Sequence, residues 1–492
     1  MADMAKTLGE LQPGQSGVVK SVGGGNARVK RRLFDMGVTP MTRIEVRRIA
    51  PLGDPIEVSL RGYALSLRRE DALEIALLSE QEAAEYQKKE AALRAQGAEP
   101  LSHGPDEDVE AHRRAELLTR WAIRSPQGRA SGACAACGRC GRGKRARRGA
   151  LPDAAAPEVD GQPVKFALVG NPNSGKTTLF NALTGAREYV GNWPGVTVEK
   201  KERRLHAYGH DITVVDLPGI YSLSPYSMEE IVARNFVIEE KPDAVINIVD
   251  ATNLERNLYL TVQLMELERP MVIALNMMDE VARLGVTIDC ARLSRELGVP
   301  VMPIVARTGE GVDDLLRESA DLLALSHEQL HAGFCIEPDD LYDARTHAAH
   351  HRIGEILGDA PARAGLPAHW AEIKLLEGDA MVREQLHLTD EQAAAVDKAV
   401  AGYVGDGLPG DGEARVADSR YRYITRVCAQ AVSRRGAGRD LTDRIDAVLT
   451  NKWAGLPIFL LIMGAIFLLT FDTLGAWLSD GVDTLVILSL IH

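Results

Sequence analysis

Aromatic residues make up only 5% of this 492-residue chain, and it holds just six cysteines. So few cysteines cannot build a disulfide framework, and a reducing, cytoplasmic setting fits. Positive charge is short as well. A formal net charge of -12 and an isoelectric point near 5.6 argue against general affinity for nucleic acid. Met1 to Gln15 lacks the charged start and apolar core of a signal peptide. Long apolar runs are scarce, but one stands out. Ala454 to Phe471 carries no charge and is just long enough to cross a hydrocarbon core of about 30 Å. Arg434, Arg435, Arg439, Arg444 and Lys452 precede it, whereas Asp472, Asp480 and Asp483 follow. The basic side is expected in the cytoplasm, and, given this segment, the basic run Arg124 to Arg148 further upstream is expected to touch anionic lipid headgroups rather than nucleic acid. A buried core helix is the alternative reading of this run.

What is present divides into several domains, as the length requires. Residues 1–79 hold short strand-like runs: Gly17 to Val22, Arg43 to Ile49, Ile56 to Leu60 and Ala64 to Leu67. Turn residues separate them, and one helix, Ala27 to Met36, should end at Gly37. The pattern predicts a small β-barrel. Residues 80–163 read as an exposed helix, Ser79 to Gln96, and then a linker. In that linker Cys134, Cys137 and Cys140 sit in a basic stretch with no acidic residue from Arg124 to Arg148. Three thiols at this spacing can ligate zinc or part of an iron–sulfur cluster, with His103, His112 or a second chain completing the site. They can equally remain free in a disordered tether.

Residues 164–325 alternate strands and helices, the mark of a doubly wound α/β domain with ligand loops at strand C-termini. Strands are expected at Val164 to Val169, His210 to Asp216, Ala244 to Asp250, Met271 to Asn276 and Val299 to Val305. Between the first strand and the following helix stands Gly170-Asn-Pro-Asn-Ser-Gly-Lys-Thr177, a phosphate-binding loop in its required context. Backbone amides from Gly170, Asn171, Asn173, Ser174 and Gly175, with Thr178 in the first helical turn, form an anion cradle. Lys176 would reach the β- and γ-phosphates, and Thr177 would hold Mg²⁺.

The other loops follow in order. Asp216-Leu-Pro-Gly219 would hold Mg²⁺ through water at Asp216 and sense the γ-phosphate at Gly219. Thr197, in Gly191-Asn-Trp-Pro-Gly-Val-Thr197, would close on Mg²⁺ when the γ-phosphate is present. In Asn276-Met277-Met278-Asp279 the last carboxylate can accept both N1–H and N2–H of guanine, which adenine does not offer. GTP is therefore expected over ATP. Val305-Ala306-Arg307 would form the last guanine loop through the Ala306 amide, although many GTPases carry serine at the position of Val305. After Gly219 comes Ile220, where Ras-like GTPases place a water-orienting glutamine, so slow intrinsic hydrolysis is expected.

These residues also carry resemblances. Asn173 with a structured switch I resembles the potassium-activated GTPases, which implies K⁺ held by Asn173 and the carbonyls of Gly191 and Trp193. Arg31-Arg-Leu-Phe-Asp-Met-Gly37, Pro51-Leu-Gly-Asp-Pro-Ile56 and Arg61-Gly-Tyr-Ala-Leu-Ser-Leu-Arg68 resemble the ferrous-iron transport protein A family. That implies an SH3-like regulatory or docking module. The phosphate loop, Gly191 to Thr197, Asp216-Leu-Pro-Gly-Ile-Tyr-Ser-Leu223 and Asn276 to Asp279 resemble ferrous-iron transport protein B. The resemblance implies an all-α helical domain at 326–450, with helices at Asp340 to Leu357, Ala368 to Leu376, Thr389 to Tyr403 and Ala414 to Arg434. The start of a polytopic membrane domain would lie at 451–492, and a second apolar run, Thr484 to Ile491, is all that follows the first. A truncated gene or a fragment is expected, without a pore. The resemblance further implies Fe²⁺ as transported substrate, GTP and GDP as ligands, an inner-membrane location, a homo-oligomer, and other ferrous-iron transport components as partners. A membrane-tethered signalling GTPase is the second reading and an RNA-associated GTPase the third.

Overall fold

A computed structural model describes residues 7–23, 27–50, 53–96, 164–185, 189–193, 198–225, 227–324, 341–405, 407–434, 455–470, 475, 481 and 482. The cysteine linker, with Cys134, Cys137 and Cys140, lies outside them, as do Thr197 and the run Thr484 to Ile491.

The N-terminal unit is a five-stranded antiparallel sheet. Its spatial order is Tyr63–Leu67, Ile56–Leu60, Arg43–Ile49, Ser16–Val22 and Ile75–Leu78. Alternation sets its face: Ile44, Val46, Ile56, Val58, Leu60, Leu65 and Leu67 all point into one core. Helix Ala27–Asp35 ends as expected at Gly37, which has φ +78°. Val38 N–H reaches back to Leu33 O (2.9 Å) and Gly37 N–H to Phe34 O (2.8 Å), a closure that needs the left-handed residue. The expectation of a single helix is corrected. Arg69–Leu73 forms a second, with Ile75–Leu78 as an added strand. Five residues are too few to display a helical period, and this helix is pinned from afar by Asp54 Oδ1 accepting from Arg69 N–H (2.8 Å). The helix beyond it, Glu80–Gln96, is tied back to the sheet by Lys20 and Glu82 (2.6 Å).

The central domain is a seven-stranded sheet with helices on both faces. The order runs Val301–Pro303, Met271–Asn276, Ala244–Asp250, Val164–Gly170, His210–Asp216, Glu199–Ala207, Tyr189–Asn192. The first five are parallel. The last two are antiparallel and were not foreseen. Glu199-Lys-Lys-Glu-Arg-Arg204 hides its strand because a part-exposed position, one in from the edge, tolerates charge on both faces. The run Val299 to Val305 contributes only Val301–Pro303 as strand.

The helical domain comprises Ala344–Leu357, Ala360–Arg363, Ala368–Leu376, Ala380–Gln385, Asp390–Val404 and Gly412–Ala431. Asp343, Asp379, Thr389 and Asp411 cap four of these by accepting from first-turn amides. The two four- and six-residue helices were not expected from the sequence, for the same reason of length. A second correction concerns Ala414 to Arg434. The helix stops at Ala431, and Val432–Arg434 turns into a strand that pairs antiparallel with Val286–Ile288 of the central domain.

At the C-terminal end, Gly455–Leu468 is a 14-residue helix with Phe459, Leu460, Leu461 and Phe467 exposed. At 1.5 Å per residue it spans roughly 21 Å. No helix among the described residues is long and apolar enough to cross a membrane.

Candidate nucleotide site

The strand Val164–Gly170 delivers the phosphate loop to the C-terminal edge of the parallel sheet, and helix Lys176–Thr184 leaves from it. Two loop positions take left-handed backbone: Asn173 at φ +66° and Gly175 at φ +93°. A Cβ on Gly175 would lie 2.3 Å from Asn276 Nδ2, and one on Gly170 would lie 2.4 Å from Ile248 Cγ2. Neither position has room for a side chain. Ser174 Oγ donates to Asn171 O (2.8 Å) and closes the loop on itself. Thr177 and Thr178 are exposed on the first helical turn.

Asn276 fastens three loops together. Its Nδ2 donates to Ser174 O (2.8 Å), and its Oδ1 accepts from Ala306 N–H (2.9 Å). The side chain is almost wholly buried, so both bonds are made in a low dielectric, where losing either is costly. The Ala306 amide, expected to face guanine, is therefore committed to Asn276 in this structure. Asp279 stands in the first turn of helix Met278–Arg283, after Met277 at φ +65°. Its Oδ2 accepts from Arg307 Nη2 (3.1 Å) of the last loop, an exposed pair of small energetic weight. Val305 is buried and bridges to Glu310.

Lys176 is ion-paired to Asp216, the acid at the end of the neighbouring strand. Both side chains are largely buried. Gly219 passes so close to the phosphate loop that a Cβ would sit 3.3 Å from Pro172 Cα. Ile220 donates its N–H to Gly170 O (3.2 Å), and its side chain is 1% exposed. The residue in the water-orienting position is thus part of the core. On the far side, Gly191 lies in the edge strand, and Trp193 N–H donates to Val198 O (2.9 Å) beneath Lys200.

One set of residues escaped sequence reasoning altogether. Ser222, three residues past Gly219, donates from Oγ to Asp35 Oδ2 (2.8 Å) of the N-terminal unit. The Asp35 carbonyl accepts from Tyr421 of the helical domain, whose ring stacks on Tyr259 of the central domain (4.8 Å). Arg61 joins the same seam through Asp418 (2.9 Å) and Thr39. The partners that join different domains here lie far apart in sequence, so no local signal could have paired them. Desolvation pushes the Asp35 carboxyl up from 3.8 to about 7, against the lowering hydrogen bond from Ser222 and with Glu230 and Glu413 nearby. A carboxyl whose folded pKa is raised binds more protons folded than unfolded. Its contribution to stability therefore falls as pH rises from about 4 through about 7. D35N should match wild type in melting temperature near pH 4 and exceed it above pH 7. A difference independent of pH would count against this account.

Comparisons with known proteins match three stretches of the chain. Family models match the FeoA domain over residues 6–77, ferrous iron transport protein B over 164–319 and the FeoB cytosolic helical domain over 342–433. A Porphyromonas gingivalis protein described as an Fe(2+) transport protein A/Fe(2+) transporter FeoB fusion is 34% identical over 97% of this chain and 53% of its own. The Fe(2+) transporter FeoB of Salmonella typhimurium is 40% identical over 63% of this chain and 39% of its own. The present chain thus spans about half the length of the fusion relative, or less than half of the second. A GDP-bound mutant of the S. thermophilus FeoB G-domain matches at 42% identity with a TM-score of 0.50, covering 55% of this chain and 100% of that one.

Proposed function

We propose, for a chain that belongs to the ferrous iron transport protein B family and carries a fused FeoA domain, that it binds and hydrolyses GTP for the import of Fe²⁺. The observation that carries this reading is the Asn276 staple. It holds the phosphate loop, the base-reading strand end and the last loop as one rigid rim at the head of the parallel sheet. Tying the three loops through one buried side chain limits how far each can move independently, which favours a preorganised site.

The donor sets fit the expected ions. Thr177 and Asp216 offer a hydroxyl and a carboxylate, hard oxygens that suit Mg²⁺, with Thr197 as the expected third contributor. Asn173 and the carbonyls of Gly191 and Trp193 offer neutral oxygens that suit K⁺. Bound there, the two cations would supply positive charge at the phosphates. The protein's own part is positional. Lys176 would pass from Asp216 to a phosphate oxygen, and Asp216 would then be one of the residues that hold Mg²⁺. Amides of the left-handed Asn173–Gly175 turn hold the phosphate chain in line for attack by water. Buried Ile220 gives that water no hydrogen bond, which fits slow intrinsic turnover. GTP hydrolysis by the full chain should be slow, and several-fold faster in KCl than in NaCl. N173A should erase the difference, and equal wild-type rates in the two salts would remove the role of Asn173.

The state of the Asp216–Leu223 segment would then be read by the elements packed on it. Ser222 touches the FeoA domain, and Arg234 pairs with Asp379 of the helical domain (2.8 Å) while lying over Trp370. The Gly455–Leu468 helix would begin the membrane portion, with the preceding domains on the cytoplasmic side of the inner membrane. Homo-oligomerisation, contact with anionic lipid and contact with other ferrous-iron transport components belong to the same proposal, as does zinc or iron–sulfur ligation at Cys134, Cys137 and Cys140.

A further inference from the structure

The helical domain contains a histidine cluster that the nucleotide chemistry does not use. His347, His350 and His351 fall at i, i+3 and i+4 on helix Ala344–Leu357, so they share one face. One ring nitrogen from each lies within 4.8 Å of the other two. His347 Nε2 and His351 Nε2 are 2.9 Å apart. His369 and Glu372, from helix Ala368–Leu376, complete the wall: His369 meets His350 edge to face at 4.6 Å, and Glu372 Oε2 is 3.0 Å from His350 Nδ1. Burial grades across the cluster, from buried His350 through half-buried His347 to exposed His351.

We infer that His347, His350 and His351 form a binding site for a divalent first-row transition ion, with Glu372 accepting from His350 Nδ1 to orient that ring. Imidazole is a ligand suited to zinc, copper, nickel and ferrous iron alike. Around a tetrahedral ion at about 2.0–2.1 Å, two ring nitrogens stand roughly 3.3 Å apart. His347 and His351 reach that separation by opening a few tenths of an ångström, from a position at the solvent-facing mouth. A carboxylate holding the second nitrogen of a ligating histidine is a recurrent supporting arrangement, because it fixes the tautomer and strengthens the donor. The alternative trio, His350, His369 and Glu372, would require Glu372 to abandon that hydrogen bond. The site also abuts a domain joint. The Tyr342 ring lies 6.1 Å from His350 and 5.9 Å from His369, and its hydroxyl donates to Glu266 of the central domain.

The test uses the full chain, nucleotide-free, with Cys134, Cys137 and Cys140 changed to serine so that linker thiols contribute nothing. Co²⁺ is titrated and followed by its visible d–d bands, and Zn²⁺ is then added in competition. One equivalent of Co²⁺ with nitrogen-type bands, displaced by Zn²⁺, is expected. H347N/H351N alters two solvent-accessible side chains and should raise the Co²⁺ Kd at least 100-fold while leaving the far-ultraviolet circular dichroism unchanged. E372Q should raise it by about 10–100-fold. H369F should leave it unchanged. Stoichiometric binding that survives H347N/H351N would overturn the assignment, as would binding lost in H369F alone.

Discussion

D279N should raise the Kd for GDP and GTP by about 10²–10⁴-fold. A carboxylate presents two acceptors to the N1–H and N2–H of guanine, whereas an amide presents one acceptor and one donor. The variant loses one charge-assisted bond, weakens the other and sets donor against donor. At about 1.5–3 kcal/mol per bond to a charged group, the total is about 3–6 kcal/mol. Xanthine carries a carbonyl where guanine carries N2–H, so the same variant should gain affinity for xanthosine diphosphate. Calorimetry with both nucleotides separates lost specificity from lost folding. The current partner of Asp279, Arg307, is exposed, so the substitution should hardly affect stability. An unchanged Kd for GDP would show that base selection resides elsewhere.

The second large effect is expected at the joint between the central and helical domains. Arg420 is 1% exposed and Glu266 0%. They form a two-pronged pair at 2.6 and 2.8 Å, and Arg420 also reaches Glu377, which Lys374 holds from the other side (2.6 Å). Burial alone would raise the Glu377 carboxyl, but Arg420 and Lys374 pull it down to about 2. R420M should destabilise the protein by about 3–5 kcal/mol, because it strands the Glu266 charge without a cationic partner. R420M/E266L should recover part of that loss, since the stranded charge departs with its partner. Urea titration followed by circular dichroism checks both variants. A double variant no more stable than R420M would mean that packing around the guanidinium, rather than its charge, holds the joint.

The nucleotide rim was legible in the sequence because its chemistry is local. Glycine at 170 and 175, Lys176, Asp216 and Asp279 each sit in a short motif at a strand end, and the parallel strands read as apolar runs. What stayed hidden was relational. Lys176 and Asp216 come from separate motifs, and only the folded sheet makes them partners. Asn276 reads as a base-loop residue in one dimension and proves to be the staple in three. The strand Glu199–Ala207 was masked by its charges, the helix Arg69–Leu73 by its brevity. His350 was silent for a further reason: its significance comes from His369 and Glu372, a different helix about 20 residues on, and three histidines in an alanine-rich helix carry no motif.

The short ribbon between Val286–Ile288 and Val432–Arg434 has a mechanical corollary. It closes the helical domain back onto the segment that leaves the base-reading helix Met278–Arg283, with Asp289 N–H bonded to Ala431 O (2.9 Å). The polypeptide departing toward residue 455 is therefore leashed to the guanine side of the nucleotide domain, not to the phosphate side. Tension on the chain at Arg434 would load this ribbon and, through it, the segment that follows helix Met278–Arg283.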